Sequence, residues 1–273
     1  MRARQPDISG SVTRDGVTVG YDVYGADRRP TVVLTPTWAI AQSRHLKAQI
    51  PVLARRYRVV TVEGRGNGRA DRPVDGAAYT FAEHAADVLA VMDATGTERA
   101  VVAGVSRGGV VTAVLAATAP ERVTGAVLIG AALKSLAPAF PEQLVHSFTQ
   151  ELDTDQGWAR YNRHYWRRDL RGFAEFFWGE IFPEPHSTKQ VEDGVGWALE
   201  TDAEVLVATQ YNPEPVLGDR ERTLELLRSI RCPVLVVHGT DDRITPLIRS
   251  ELAAEATGGD LLVIEGGGHC PQA

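Results

Sequence analysis

Apolar and polar residues alternate on both sides of Arg14-Asp15-Gly16: Val12 before it, then Val17, Val19, Tyr21 and Val23 after it. A period of two turns one face of each segment inward, and Asp-Gly supplies the positive φ of a tight bend. Ser11 to Tyr24 is therefore predicted as two antiparallel strands. Past the polar tract Asp27-Arg28-Arg29-Pro30 the pattern changes. Short continuous apolar runs follow at Thr31–Thr35, Tyr57–Val62, Ala100–Gly104, Thr124–Ile129, Cys232–Val237 and Asp260–Ile264. Runs of this length suit strands buried on both faces of a sheet. Helical spacing lies between them. Thr80-Phe81-Ala82-Glu83 is a capping box, and Phe81, Ala85, Val88, Leu89 and Met92 give a helix to about Ala94 one apolar face. A second helix is predicted over Val110–Ala119 and a less defined one within Ser43–Arg55. A last one starts at Thr245 as N-cap with Pro246 at its first turn. Strands alternating with helices predict an α/β class, with a mostly parallel sheet opened by an antiparallel hairpin.

That rhythm stops between Lys134 and Ile230, where no strand pattern occurs and 13 of the 19 aromatic residues collect. The interruption reads as a helical cap, residues 134–230, inserted after the sixth strand into a core formed by 1–133 and 231–273. Such an insertion would cover the carboxyl ends of the strands, where open α/β sheets place ligands. With 273 residues, 44% of them hydrophobic, the chain is long enough for one such domain plus its insertion. A net charge of -6 argues against a nucleic-acid partner. No apolar run approaches a membrane span, and the N-terminus has no apolar signal segment, so the expected location is cytoplasmic. Cys232 and Cys270 lie far apart and form no metal-ligand pattern, which predicts free thiols and no metal. Oligomeric state leaves no mark on the sequence.

Chemistry enters with Gly104-Val105-Ser106-Arg107-Gly108-Gly109, set between an apolar strand and a helix ended by Pro120. Strand, Gly-x-Ser-x-Gly, helix is the order that a nucleophile elbow requires. The two glycines let strand and helix close around a strained, projecting serine, above a helix N-terminus that favours negative charge. A plain Gly/Ser turn is the alternative. Another glycine-rich turn, Glu63-Gly64-Arg65-Gly66-Asn67-Gly68, lacks the spacing of a phosphate loop and is expected to be structural. A serine nucleophile needs a base, and the base needs an orienting acid. Two turns after late strands offer them: Gly239-Thr240-Asp241-Asp242-Arg243-Ile244-Thr245-Pro246, and Glu265-Gly266-Gly267-Gly268-His269.

With these motifs in this order, the span from about Gly16 to His269 resembles the α/β-hydrolase fold family. The turn at 63–68 is similar to the family's turn after its fourth strand. The resemblance implies Ser106 as nucleophile, His269 as general base and acid, and Asp242 as the orienting carboxylate, with Asp241 the competing acid. It implies an oxyanion hole from the Arg107 and Trp38 backbone amides, and no cofactor. Two departures stand out. The family's usual His-Gly pair is Pro36-Thr37 here, which removes an N–H and puts the Trp38 donor in question. The chain also ends four residues after His269, where members commonly continue into a packing helix. That predicts a truncated chain or part of a longer protein.

In the cap, Trp158, Tyr161 and Tyr165 fall at helical spacing, as do Phe173, Phe176 and Phe177. Packing of the cap and contact with substrate are both open readings for them. The candidate substrate residues are Thr37, Trp158, Tyr161, Tyr165, Phe177 and Trp197. Arg160, Arg163, Arg167, Arg168 and Arg171 are expected on a solvated helix face. His238 is expected to pack at a strand end, His164 and His186 to be structural, and Cys270 to pack beside His269. The implied activity is hydrolysis of a small, largely apolar carboxylic ester, thioester or lactone through an acyl-enzyme. An acyltransferase or cyclase, a carbon–carbon bond hydrolase and a non-catalytic binding protein are the alternatives.

Overall fold

The computed structural model describes residues 4–25, 30–211 and 217–273; the polar tract Asp27–Arg29 lies outside them. Eight strands form one sheet: β1 (Ile8–Arg14), β2 (Val17–Tyr24), β3 (Thr31–Leu34), β4 (Arg58–Glu63), β5 (Ala100–Val105), β6 (Val123–Ile129), β7 (Val234–Gly239) and β8 (Asp260–Ile264). Their order across it is β1-β2-β4-β3-β5-β6-β7-β8. β1 pairs antiparallel with β2, and β2 antiparallel with β4; every later pair is parallel. The expected hairpin is present, turning at Asp15 (φ 50°) and Gly16 (φ 79°). All six residues of β4 are buried, as its continuous apolar run predicts.

The helices are α1 (Gln49–Leu53), α2 (Phe81–Ala94), α3 (Arg107–Thr118), α4 (Pro141–Leu144), α5 (Arg163–Arg168), α6 (Leu170–Ile181), α7 (Thr188–Ala198), α8 (Ala203–Ala208), α9 (Arg220–Arg228) and α10 (Leu247–Thr257). The capping box holds: Thr80 accepts a hydrogen bond from the Glu83 amide at 3.2 Å. Two boundaries differ from expectation. α3 starts at Arg107 rather than Val110, because the turn at Ser106 leads into the helix with no linker. α10 starts one residue later than predicted, with Pro246 itself as the N-cap. Thr245 is drawn instead to Asp242, to whose carboxylate its amide donates at 2.9 Å.

Apolar side chains gather in three clusters. Val88, Met92, Val114, Leu115, Leu227 and Ala253 place α2, α3, α9 and α10 against one face of the sheet. Leu46 and Ile50 cover Val32, Val59 and Val105 on the other. The third cluster is aromatic and joins Trp38 to Tyr161, Trp166, Phe173, Phe177 and Trp178, between the loop after β3 and α5–α6. All described residues between β6 and β7 are helical or irregular. α4 to α8 border this aromatic cluster or the space beside it, whereas α9 packs on α3 and α10. No described helix is long and apolar enough to cross a membrane.

Polar contacts tie the turn after β4 to the rest. Arg65 is buried and donates to both carboxylate oxygens of Asp87, at 2.6 and 2.9 Å, while Arg14 donates to Asp87 at 3.0 Å. Asn67 donates to the Ala39 carbonyl at 2.6 Å and the Trp197 carbonyl at 2.9 Å. The turn thus braces the loop that carries Trp38, the structural role expected for it. His84 lies buried among these cations. Burial first, then Arg107, Arg65 and Arg14, lowers its pKa from 6.5 to about 3. In the unfolded chain His84 takes a proton below about pH 6.5, but in the fold only near pH 3. The unfolded state therefore binds more protons in that window, and stability must fall as the pH drops through it. The expected contribution is about 1.4 kcal/mol per pH unit. Urea unfolding of the parent and of His84→Phe between pH 7 and 4 checks this: the parent should lose stability more steeply.

Candidate active site

β5 delivers the chain to Ser106, whose backbone is held at φ 56° and ψ -118°. Asp15 and Ser106 are the described non-glycine residues with positive φ, and only Ser106 lies outside a hairpin turn. Strain of this kind costs about 1–3 kcal/mol and persists where the surroundings over-determine it. Here they do. The Ser106 amide donates to the Ile129 carbonyl at 2.8 Å, and its carbonyl accepts from Gly109 at 3.0 Å and Ala132 at 3.1 Å. A Cβ on Gly104 would overlap the Gly108 carbonyl and the Thr35 hydroxyl, so only glycine lets β5 and α3 close this tightly.

Asp242 stands in the turn after β7, 6% exposed. Its Oδ1 accepts from the Ile244 and Thr245 amides at 2.7 and 2.9 Å, and its Oδ2 accepts from His269 Nδ1 at 2.8 Å. Burial pushes the carboxyl pKa up, but His269, the Thr245 amide and His238 outweigh it, and the net direction is down. Asp241 is exposed and faces Thr240. The structure thus brings Asp242, not Asp241, to the imidazole. His238 does more than pack: it is buried, with Nδ1 2.7 Å from Ser250 Oγ, and with Nε2 3.0 Å from the Thr245 carbonyl and 3.5 Å from Asp242 Oδ2. It approaches the same carboxylate oxygen that His269 contacts.

His269 is 2% exposed and held from several directions. Its amide donates to the Ile181 carbonyl at the end of α6, and the preceding Gly268 amide donates to Glu184 Oε1 at 2.7 Å. Gly239 lies so close to Gly267 that any Cβ would overlap its carbonyl, which fixes the β7 turn against the histidine loop. Its Nε2 is buried and makes no hydrogen bond among the described residues. Burial, with the Asp242 charge, pushes the neighbouring Cys270 thiol up to about 12, so it is unreactive at neutral pH.

Ser106, His269 and the loop after β3 share one cavity of about 420 Å³. Thr37 donates from its hydroxyl to the Val105 carbonyl at 2.9 Å, and Thr35 to the Gly108 carbonyl at 2.9 Å. The loop is therefore fastened to both sides of the elbow despite losing the glycine. Trp38 lines the cavity, and its amide makes no hydrogen bond among the described residues. Its indole donates to Thr209 at 2.8 Å and meets Phe177 edge-on at 5.3 Å. Arg107, the first residue of α3, lines the same space.

Of the aromatic candidates, Trp158, Tyr161, Phe177 and Trp197 line the cavity with Thr37. Tyr165 does not. Its ring lies under Arg160 and Arg168, and its hydroxyl faces Asp169 at 3.3 Å, so it packs the far side of the cluster. Helical spacing put it beside Tyr161, but the chain turns from a 3-10 segment into α5 between them. Sequence reading missed His45, Lys134 and Arg249 on the cavity wall. Arg249 did leave a signal: it heads the buried stripe Arg249, Ser250, Ala253, Ala254 of α10, an unusual place for a guanidinium. No group of metal-ligating side chains occurs among the described residues.

The sequence profile of the alpha/beta hydrolase fold matches residues 30–273. The bifunctional esterase/perhydrolase DCH of Acinetobacter calcoaceticus is 28% identical over 237 residues, covering 86% of this chain and 82% of that protein. Among solved structures, Est816, described as an N-acyl homoserine lactone degrading enzyme, superposes with a TM-score of 0.75 at 27% identity, covering 96% of this chain and 94% of its own. The esterase RhEst1 from Rhodococcus sp. ECU1013 does so with a TM-score of 0.75 at 27% identity, over 95% and 90%.

Proposed function

Because this chain belongs to the α/β-hydrolase fold family, we propose that it is a serine hydrolase cleaving a small carboxylic ester, thioester or lactone through an acyl-enzyme on Ser106. The observation that carries the reading is that the strained Ser106 and His269 line one cavity, with the buried Asp242 behind His269 at its Nδ1. The similarity to an esterase/perhydrolase and to a lactone-degrading enzyme points to the same acyl chemistry.

In this reading Ser106 Oγ attacks the substrate carbonyl as His269 Nε2 takes its proton. The same nitrogen then returns the proton to the leaving alkoxide or thiolate. Asp242 accepts from Nδ1, which fixes the tautomer with Nε2 free to act as base and stabilises the imidazolium. The amides of Arg107 and Trp38 donate to the oxyanion, the first helped by the positive end of α3. Water, activated by His269, releases the acid and restores Ser106. Residues 134–230 act as a cap over this chemistry, rooted on the core by α9. Glu184 and the Ile181 carbonyl couple the cap to the His269 loop.

A fluorophosphonate probe tests the reading, since only an activated serine displaces its fluoride. Peptide mass spectrometry should find one phosphonyl group per chain, on Ser106. A folded protein that remains unlabelled would sink the proposal.

A further inference from the structure

One wall of the cavity carries positive charge that the hydrolysis scheme leaves unused. Lys134 follows β6, on a loop tied directly to the elbow: the Ala132 amide donates to the Ser106 carbonyl, and the Lys134 amide to the Ala132 carbonyl at 2.9 Å. Its ammonium makes no hydrogen bond or ion pair among the described residues and lines the cavity. Arg249 reaches the same wall from α10. It is only 3% exposed, yet no carboxylate pairs with it. Its Nε is committed to the Ala137 carbonyl at 2.8 Å. Its terminal nitrogens have no hydrogen-bond partner among the described residues, and the residue lines the cavity. Arg107 adds a third cation nearby, felt by Lys134 together with Arg249.

A guanidinium kept inside a protein with no carboxylate on it, as at Arg249, is costly and suits an anionic ligand, which the exposed Lys134 is free to meet as well. Asp193 is the side-chain carboxylate among the lining residues, and it is spoken for by Lys47 and Lys189. Asp242 offsets part of the Arg249 charge from behind. The wall still keeps net positive charge, which a carboxylate would offset. A planar carboxylate fits the paired terminal nitrogens of a guanidinium and accepts a further hydrogen bond from an ammonium.

We propose that the substrate is an ester, thioester or lactone that carries a carboxylate, held by Lys134 and Arg249 on the cavity wall beside Ser106. This rests on the serine-hydrolase reading and narrows it: the aromatic wall takes the apolar body, and the cationic wall takes the charge. Two facts about Lys134 agree with this placement. Its side chain is exposed and so can reach an incoming anion, yet protein on its inner side desolvates it and, with the Arg107 and Arg249 charges, lowers its pKa to about 8. It also lines the cavity.

The test compares esters of matched size with and without the charge: 4-nitrophenyl hydrogen succinate against 4-nitrophenyl butyrate, and 4-acetoxybenzoate against phenyl acetate. The second pair moves the carboxylate to the leaving group. For at least one pair, the anionic-to-neutral ratio of kcat/KM should fall about 10- to 100-fold in Lys134→Met, the scale of a lost charged hydrogen bond. The ratio cancels any general damage to the site. Arg249→Lys, which keeps the charge in a buried position but loses the fork, should lower the same ratio. In the parent the ratio should decline as the pH rises through about 8, where free Lys134 loses its proton. Lys134→Arg should keep the ratio and abolish that decline. Succinate should slow fluorophosphonate labelling of Ser106 in the parent and not in Lys134→Met, a readout that needs no turnover. Ratios unmoved by Lys134→Met and by Arg249→Lys, with labelling indifferent to succinate, would overturn the anion site and leave the hydrolase intact. Absence of labelling altogether would remove the hydrolase reading first, and this one with it.

Discussion

Ser106→Ala is expected to abolish fluorophosphonate labelling and to cut ester turnover about 10⁴- to 10⁶-fold, the loss that follows when a triad nucleophile is removed. The fold should tolerate the change. Ser106 has no side-chain hydrogen bond among the described residues, and its positive φ is enforced by backbone contacts to Ile129, Gly109 and Ala132 that alanine retains. Near-parental thermal unfolding beside lost activity would assign the loss to the hydroxyl. Residual turnover within about tenfold of the parent would instead place the reacting nucleophile elsewhere.

Asp242→Asn should lower kcat by about 10³- to 10⁴-fold with little change in KM. The reason is directional. The Ile244 and Thr245 amides both donate to Oδ1, so an asparagine must keep its carbonyl there and turn its NH2 toward His269 Nδ1. That forces Nδ1 to accept and puts the ring proton on Nε2, the nitrogen that must take the serine proton. Steady-state kinetics with 4-nitrophenyl butyrate, and a slowed labelling rate at Ser106, would report it. A variant within about tenfold of the parent would mean that Asp242 orients nothing that the reaction needs.

The features legible in the sequence are those in which local spacing carries the constraint. The elbow glycines, the Asp-Gly hairpin, the capping box at Thr80 and the glycines before His269 all act on neighbours within a few residues. Their identities are dictated by φ or by close backbone approach. What escaped was set by the path of the backbone, at breaks and turns or between distant segments. Tyr165 shares its spacing with Tyr161, but a break in the helix turns its ring to Arg160 and Arg168. Thr245 has the chemistry of an N-cap, yet its amide is captured by Asp242. Pro36-Thr37 reads as a damaged donor loop, because the sequence cannot show the Thr37 hydroxyl reaching Val105 across the sheet. Lys134 enters the sequence reading only as the start of the region read as a cap. Its significance comes from Arg249, which is distant in sequence and arrives on the same wall.

The distribution of indole rings has an optical consequence. Trp38, Trp158, Trp178 and Trp197 line the cavity, and Trp166 is buried in the same aromatic cluster. The sheet and the helices packed on it hold none among the other described residues. Tryptophan emission therefore comes entirely from the region where the loop after β3 meets the helices between β6 and β7. A ligand entering the cavity displaces solvent from four emitters at once. Loosening of the sheet alone leaves their surroundings untouched. The molecule is built as a spectrally lopsided object, bright where chemistry is expected and dark through its scaffold.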